Sequence, residues 1–168
     1  LYENQGGVFV DMSDRLSEDD LTGYTFLGSW LDLDGDGDLD LQIINDFGLD
    51  IVPNRVLIND GSGNFSAEED SDLAVVGETM GLGIGDLNAD GIPDFSITDV
   101  PVLHLRVSSG VGSWVDESFV RGLEDRDEDQ VSGWGTLMAD MDNDADLDLW
   151  MGFGPVMNPD NMDVDIPM

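Results

Sequence analysis

Three acidic loops of nine residues hold the residues of this chain best spaced for chemistry. They read Asp32-Leu-Asp-Gly-Asp-Gly-Asp-Leu-Asp40, Asp86-Leu-Asn-Ala-Asp-Gly-Ile-Pro-Asp94 and Asp140-Met-Asp-Asn-Asp-Ala-Asp-Leu-Asp148, and their starts lie 54 residues apart both times. Side-chain oxygens fall at positions 1, 3, 5 and 9 of each loop: Asp32, Asp34, Asp36 and Asp40; Asp86, Asn88, Asp90 and Asp94; Asp140, Asp142, Asp144 and Asp148. A hard cation such as calcium takes about six to eight oxygens at about 2.3–2.6 Å. In a D-x-[DN]-x-[DN]-G run alternate side chains converge on one point, and the glycine allows the sharp turn. Position 7 is Asp38, Ile92 or Asp146. Isoleucine cannot ligate through its side chain, so this position is expected to offer its backbone carbonyl. The expectation is up to three Ca²⁺ ions, one per loop.

Other cations fit less well. Magnesium demands near-ideal octahedral geometry and sheds water reluctantly. Zinc prefers His or Cys ligands, and the chain has one histidine and no cysteine. An EF-hand places its bidentate acid at position 12 between helices, whereas here the last acid is at position 9 and strands are expected on both sides. Dockerin-type loops lie on helices at a much shorter period. Merely acidic turns would have to reproduce both the internal spacing and the 54-residue interval. Carboxylates held this close repel one another unless a cation lies between them, so metal is expected to support folding. Three Ca²⁺ ions, six positive charges, would move the formal charge from −33 to −27. The third loop has Ala145 where the others have Gly37 and Gly91, a strained residue for a left-handed turn and a reason to expect weaker binding there.

The segments after the loops alternate in the manner of strands: Leu39, Leu41 and Ile43; Phe95 and Ile97; Leu147, Leu149, Met151 and Phe153. One buried face is expected. Gly-rich apolar runs at 24–31, 80–85 and 134–139 precede the loops and predict strands whose backbones approach closely. Residues 1–9, 56–65 and 105–114 each read as a strand, a Gly-bearing turn and an aromatic, the pattern of a hairpin. One unit is then four short strands at 24–32, 39–45, 55–59 and 64–69, and a second lies within 78–117. Four-stranded antiparallel units at about 40 to 50 residues are propeller blades. The expected fold is all-β, part of a β-propeller divided as 1–20 (end of one blade), 21–75, 76–128 and 129–168 (start of a further blade).

A charge of −33, with five arginines and no lysine, argues against nucleic acid and anionic membranes as partners. No apolar run approaches the roughly 18 residues of a membrane span, so no membrane insertion is expected. Acidic stretches at 17–20, 68–72 and 124–129 read as solvated turns. His104 is the sole histidine and is expected at a strand face or edge rather than in a catalytic triad. The arginines are scattered in sequence. Trp30, Trp134 and Trp150 lie in expected blade strands and read as core rather than as a sugar-stacking platform.

The D-x-D-x-D-G-x-x-D loop followed by a strand and then by Pro53-Asn-Arg-Val-Leu-Ile-Asn-Asp-Gly-Ser-Gly-Asn-Phe65 resembles the FG-GAP/VCBS repeats of integrin-α-like propellers, including those in proteins with an ASPIC/UnbV domain. Residues 1–13 match the same pattern. The second unit is looser, with Ile92-Pro93 in place of the usual Asp-Leu. The resemblance implies a calcium-stabilised, seven-bladed propeller, secreted or at the cell surface, used for adhesion or for binding a protein or carbohydrate ligand. In such propellers the loops stabilise blades and do not usually contact the ligand. The alternative expectation is part of a propeller-fold lyase or hydrolase acting on polysaccharides, with its catalytic residues elsewhere; a third is a structural spacer.

Overall fold

The computed structural model describes residues 1–123 and 131–155. β1 (Tyr2–Gln5) and β2 (Val8–Asp11) pair as a hairpin, followed by a 3-10 turn (Ser13–Arg15) and a single helical turn, α1 (Glu18–Leu21). β3 (Tyr24–Leu31), β4 (Asp40–Asp46), β5 (Arg55–Asn59) and β6 (Phe65–Ala67) form a four-stranded sheet in chain order. β7 (Gly81–Gly85), β8 (Asp94–Thr98), β9 (Leu103–Gly110) and β10 (Ser113–Asp116) repeat it. β11 (Val131–Ala139) and β12 (Asp148–Pro155) pair as a further hairpin. All neighbouring strands are antiparallel. This is the all-β, blade-like architecture expected of part of a β-propeller, and the strands fall where the alternation and the glycine turns place them.

The sheets stack through their first strands, and glycine makes the contact possible. A Cβ on Gly81 would lie 2.8 Å from the Gly135 Cα, and one on Gly83 would lie 3.4 Å from the Leu137 backbone nitrogen. β7 and β11 therefore run side by side in the same direction with their backbones almost touching, as the Gly-rich runs predict. Leu33, Ile44, Val56, Leu73, Phe95, Ile97 and Trp114 form one apolar cluster between the two full sheets. Leu105, Val107 and Met138, with Leu147 and Leu149 against them, form a second.

Three expectations are corrected. First, the middle strands are covered on both faces, not one: all five residues of β8 are buried, Asp94 and Ser96 included. Ser96 is small and polar because its face meets β11, where its hydroxyl lies 2.7 Å from that of Thr136. Second, Trp30, Trp134 and Trp150 are 47%, 46% and 55% exposed, and only Trp114 (4%) is core. Trp30 sits on β3, the first strand of the first four-stranded sheet, and Trp134 and Trp150 on the β11–β12 hairpin. Third, the stretch at 17–20 is solvated at Ser17, Glu18 and Asp19 but not at Asp20. Ser17 caps α1 in a capping box with Asp20, and Asp20 is buried against the Arg55 guanidinium at 2.9 Å. In the stretch at 68–72, Asp72 accepts from the Trp114 backbone N–H across the sheet interface. The stretch at 124–129 lies outside the described residues.

Candidate metal centre

Each acidic loop joins the first and second strands of its unit, so the antiparallel pairing of β3–β4, β7–β8 and β11–β12 fixes its two ends. Within the loop, side-chain carboxylates fold the backbone by accepting its N–H groups, which is why aspartate recurs at alternate positions. Asp32 accepts from Gly35 and Gly37, Asp34 from Asp36, and Asp36 from Asp38. Asp86 accepts from Asp90 and Gly91, and Asp140 from Asn143, Asp144 and Ala145. The result is two left-handed residues per loop. Position 6 has φ of 96°, 85° and 76° at Gly37, Gly91 and Ala145. Ala145 does adopt the strained turn conformation. Position 4 is left-handed too, at Gly35 (79°), Ala89 (57°) and Asn143 (63°), and sequence reading missed it because only one of the three is glycine.

The last acid of each loop is a clasp. Asp40 accepts from the Leu33 N–H at 2.8 Å with one oxygen and from the Asn59 N–H on β5 at 2.9 Å with the other. Asp94 does the same with Leu87 and with Ser108 on β9, both at 2.6 Å. Asp148 accepts from Met141 at 3.0 Å. Asp40 and Asp94 are fully buried. Burial pushes the Asp94 carboxyl above the usual carboxylate range, with the N–H groups of Ser108 and Leu87 opposing and the charges of Asp90 and Asp86 adding to it.

Two of the loops bring three carboxylates together: Asp32, Asp34 and Asp40 in the first, Asp140, Asp142 and Asp148 in the third, each group offering oxygens within 4.8 Å of one another. Oxygens bound to one calcium at about 2.4 Å can lie at most about 4.8 Å apart, so each set is close enough to share one such ion. The donors are all oxygen, and all but Asp40 and Asp148 are exposed to solvent. Asp36 and Asp144, at position 5, stand outside these groups, their inner oxygens taken by the N–H groups of Asp38 and Asp146. Asp38 and Asp146, at position 7, are likewise exposed. For Asp34 the Asp36 N–H favours the charged form, but burial and the charges of Asp40 and Asp36 outweigh it, and the carboxyl rises above its ordinary value.

The second loop is built differently. Asn88 takes position 3, and its Nδ2 donates to the Asp90 carboxylate at 2.9 Å and to the Ser108 carbonyl at 3.3 Å. The Ser108 hydroxyl also donates to Asp90. That hydroxyl, then the Ile92 N–H and Asn88, hold the Asp90 carboxyl below the usual range against a small opposing effect of burial. Ile92, at position 7, packs on the core cluster. Elsewhere, His104 Nε2 lies 3.1 Å from Asp99 and its Nδ1 3.7 Å from Asp116. Ser118 donates to Asp116 and not to the histidine. Arg15, Arg55, Arg106 and Arg121 are each paired with a carboxylate.

Residues 32–96, from the start of the first loop to the strand after the second, match the family model for the FG-GAP-like repeat. No curated protein matches the chain. Among the described residues no helix is long and apolar enough to cross a membrane.

Proposed function

Because residues 32–96 carry an FG-GAP-like repeat, a scaffold-type module, we propose that this chain is a calcium-stabilised stretch of β-propeller. It serves recognition or adhesion outside the cell or at its surface, where such repeats are typical. The calcium is structural. The observation that carries this reading is the pair of three-carboxylate groups, Asp32/Asp34/Asp40 and Asp140/Asp142/Asp148, at the same hairpin of successive units. An ion bound there would supply the charge that lets these side chains sit together and would tie the first two strands of a unit to its third through Asp40.

The blades divide as 1–20, 21–75, 76–128 and 129–168. A full propeller of this kind presents a protein or carbohydrate ligand with a surface of loops, and the charge of −33 turns nucleic acid away. Isothermal titration of the apo chain with CaCl₂ and with MgCl₂ tests the metal. Calcium binding with dissociation constants at least tenfold below those for magnesium is expected. Equal affinity for both ions, or no heat with either, overturns the reading.

A further inference from the structure

The three loops share a spacing but not a chemistry, and the difference lies at positions 3 and 5. In the first loop these are Asp34 and Asp36, and in the third Asp142 and Asp144, two like charges with only one backbone N–H each on their inner oxygens. Among the described residues no hydrogen-bond donor reaches their outer oxygens. In the second loop the pair is Asn88 and Asp90. The Asn88 amide donates to the outer oxygen of Asp90 at 2.9 Å, and the Ser108 hydroxyl donates to that same oxygen. Asn88 also reaches the Ser108 carbonyl and hydroxyl, at 3.3 and 3.4 Å, so loop and β9 are joined directly.

The rest of the second loop is held equally well. Both oxygens of Asp86 and both of Asp94 accept backbone N–H groups. Ile92 is half-buried against the core cluster, and the Pro93 carbonyl accepts from the Trp114 indole at 2.8 Å. The first and third loops have exposed aspartates, Asp38 and Asp146, where the second has Ile92. The acids that come together in the other two loops stand at positions 1, 3 and 9, and in the second loop position 3 is Asn88, an amide in place of a carboxylate.

We infer that the loop at 86–94 is a cation-independent latch, in which the Asn88 amide and the Ser108 hydroxyl give the Asp90 carboxylate the donors that a cation would replace in the other two loops. An amide N–H facing an acceptor is repelled by a cation, and rotating the amide to present its oxygen would take the Asn88 donor from Asp90 and from the Ser108 carbonyl and set an N–H against the Asp90 N–H that Asn88 Oδ1 now accepts. The chain then takes up two calcium ions, not three. This rests on the reading that the other two loops bind calcium.

Counting the ions decides it. Native mass spectrometry of the full chain, saturated with calcium, is expected to show two bound ions; one or three overturns the inference, whereas none overturns the calcium reading itself. The double substitution N88D and S108A removes both internal donors and restores a carboxylate, and should raise the count to three. If that variant folds and still binds two, the amide and hydroxyl are not what excludes the ion. Amide spectra of the wild type give a second readout that needs no variant. On adding calcium the Gly37 and Ala145 N–H signals should shift while Gly91 stays within the general drift; a Gly91 shift as large as theirs contradicts the latch.

Discussion

Asp40 serves two neighbours with one carboxylate, and that sets what its loss must cost. Its oxygens satisfy the N–H groups of Leu33 and Asn59 in a buried place, so Asp40→Ala strands two donors. With each stranded buried group costing about 1–3 kcal/mol, the substitution should lower the unfolding free energy by about 3 kcal/mol in urea denaturation. A loss under about 1 kcal/mol would mean the clasp is dispensable. Ala145 offers the opposite experiment. It holds φ of 76° where its counterparts are glycine, and Ala145→Gly should gain about 1 kcal/mol by relieving that conformation. No gain would show that the turn is unstrained there. The acids at positions 1, 3, 5 and 9 were legible as a spacing. Their division of labour was not, because a carboxylate that bends its own backbone and one that faces an ion are the same letter. Asn88 shows the limit best: its oxygen suits a ligand, but that oxygen accepts the Asp90 N–H, and the nitrogen is turned to Asp90 and to Ser108, which β9 places.

At the scale of the elements, the first strands of successive units do the joining. Gly81 and Gly83 let β7 lie against β11, and Gly81→Ala sets a methyl 2.7 Å from the buried Thr98 Oγ1 and 2.8 Å from the Gly135 Cα, backbone that cannot turn aside. Hydrogen exchange should then quicken at Leu137 and Met138 in β11 while β9 and β10 keep their protection. Uniform acceleration across both sheets would place the effect on global stability instead. The Gly-rich runs made these strands legible, since backbones that touch leave no room for side chains. The two-sided burial of β4 and β8 was harder to read, because Gln42, Ser96 and Thr98 look like a solvent face. Polar residues there fit a contact between sheets too close for large apolar groups. The third strands are also out of register with the 54-residue interval: Asn59 and Ser108, which meet equivalent clasps, lie 49 residues apart. The link from β8 to β9 is shorter than that from β4 to β5, and this accounts for the shorter interval.

The whole molecule carries a charge of −33 on 168 residues, with much of it gathered into three loops at the ends of stacked hairpins. Self-repulsion of that size opposes a compact state. Salt screens it without regard to position, whereas an ion seated in a loop removes it where the carboxylates crowd. The aromatic faces at the two ends, with Tyr24, Phe26 and Trp30 on one and Trp134 and Trp150 on the other, show the stacking surface of the unit uncovered, which explains why tryptophans read as core are half exposed. Thermal melting of the full chain in excess Ca²⁺ and in excess chelator, at matched ionic strength, tests the account most directly. Saturation at about 100 times the dissociation constant contributes about 2.7 kcal/mol per site. Two sites in a chain of this size should therefore raise the midpoint by about 10 °C or more. Superimposable melting curves would contradict the claim that calcium holds these blades together.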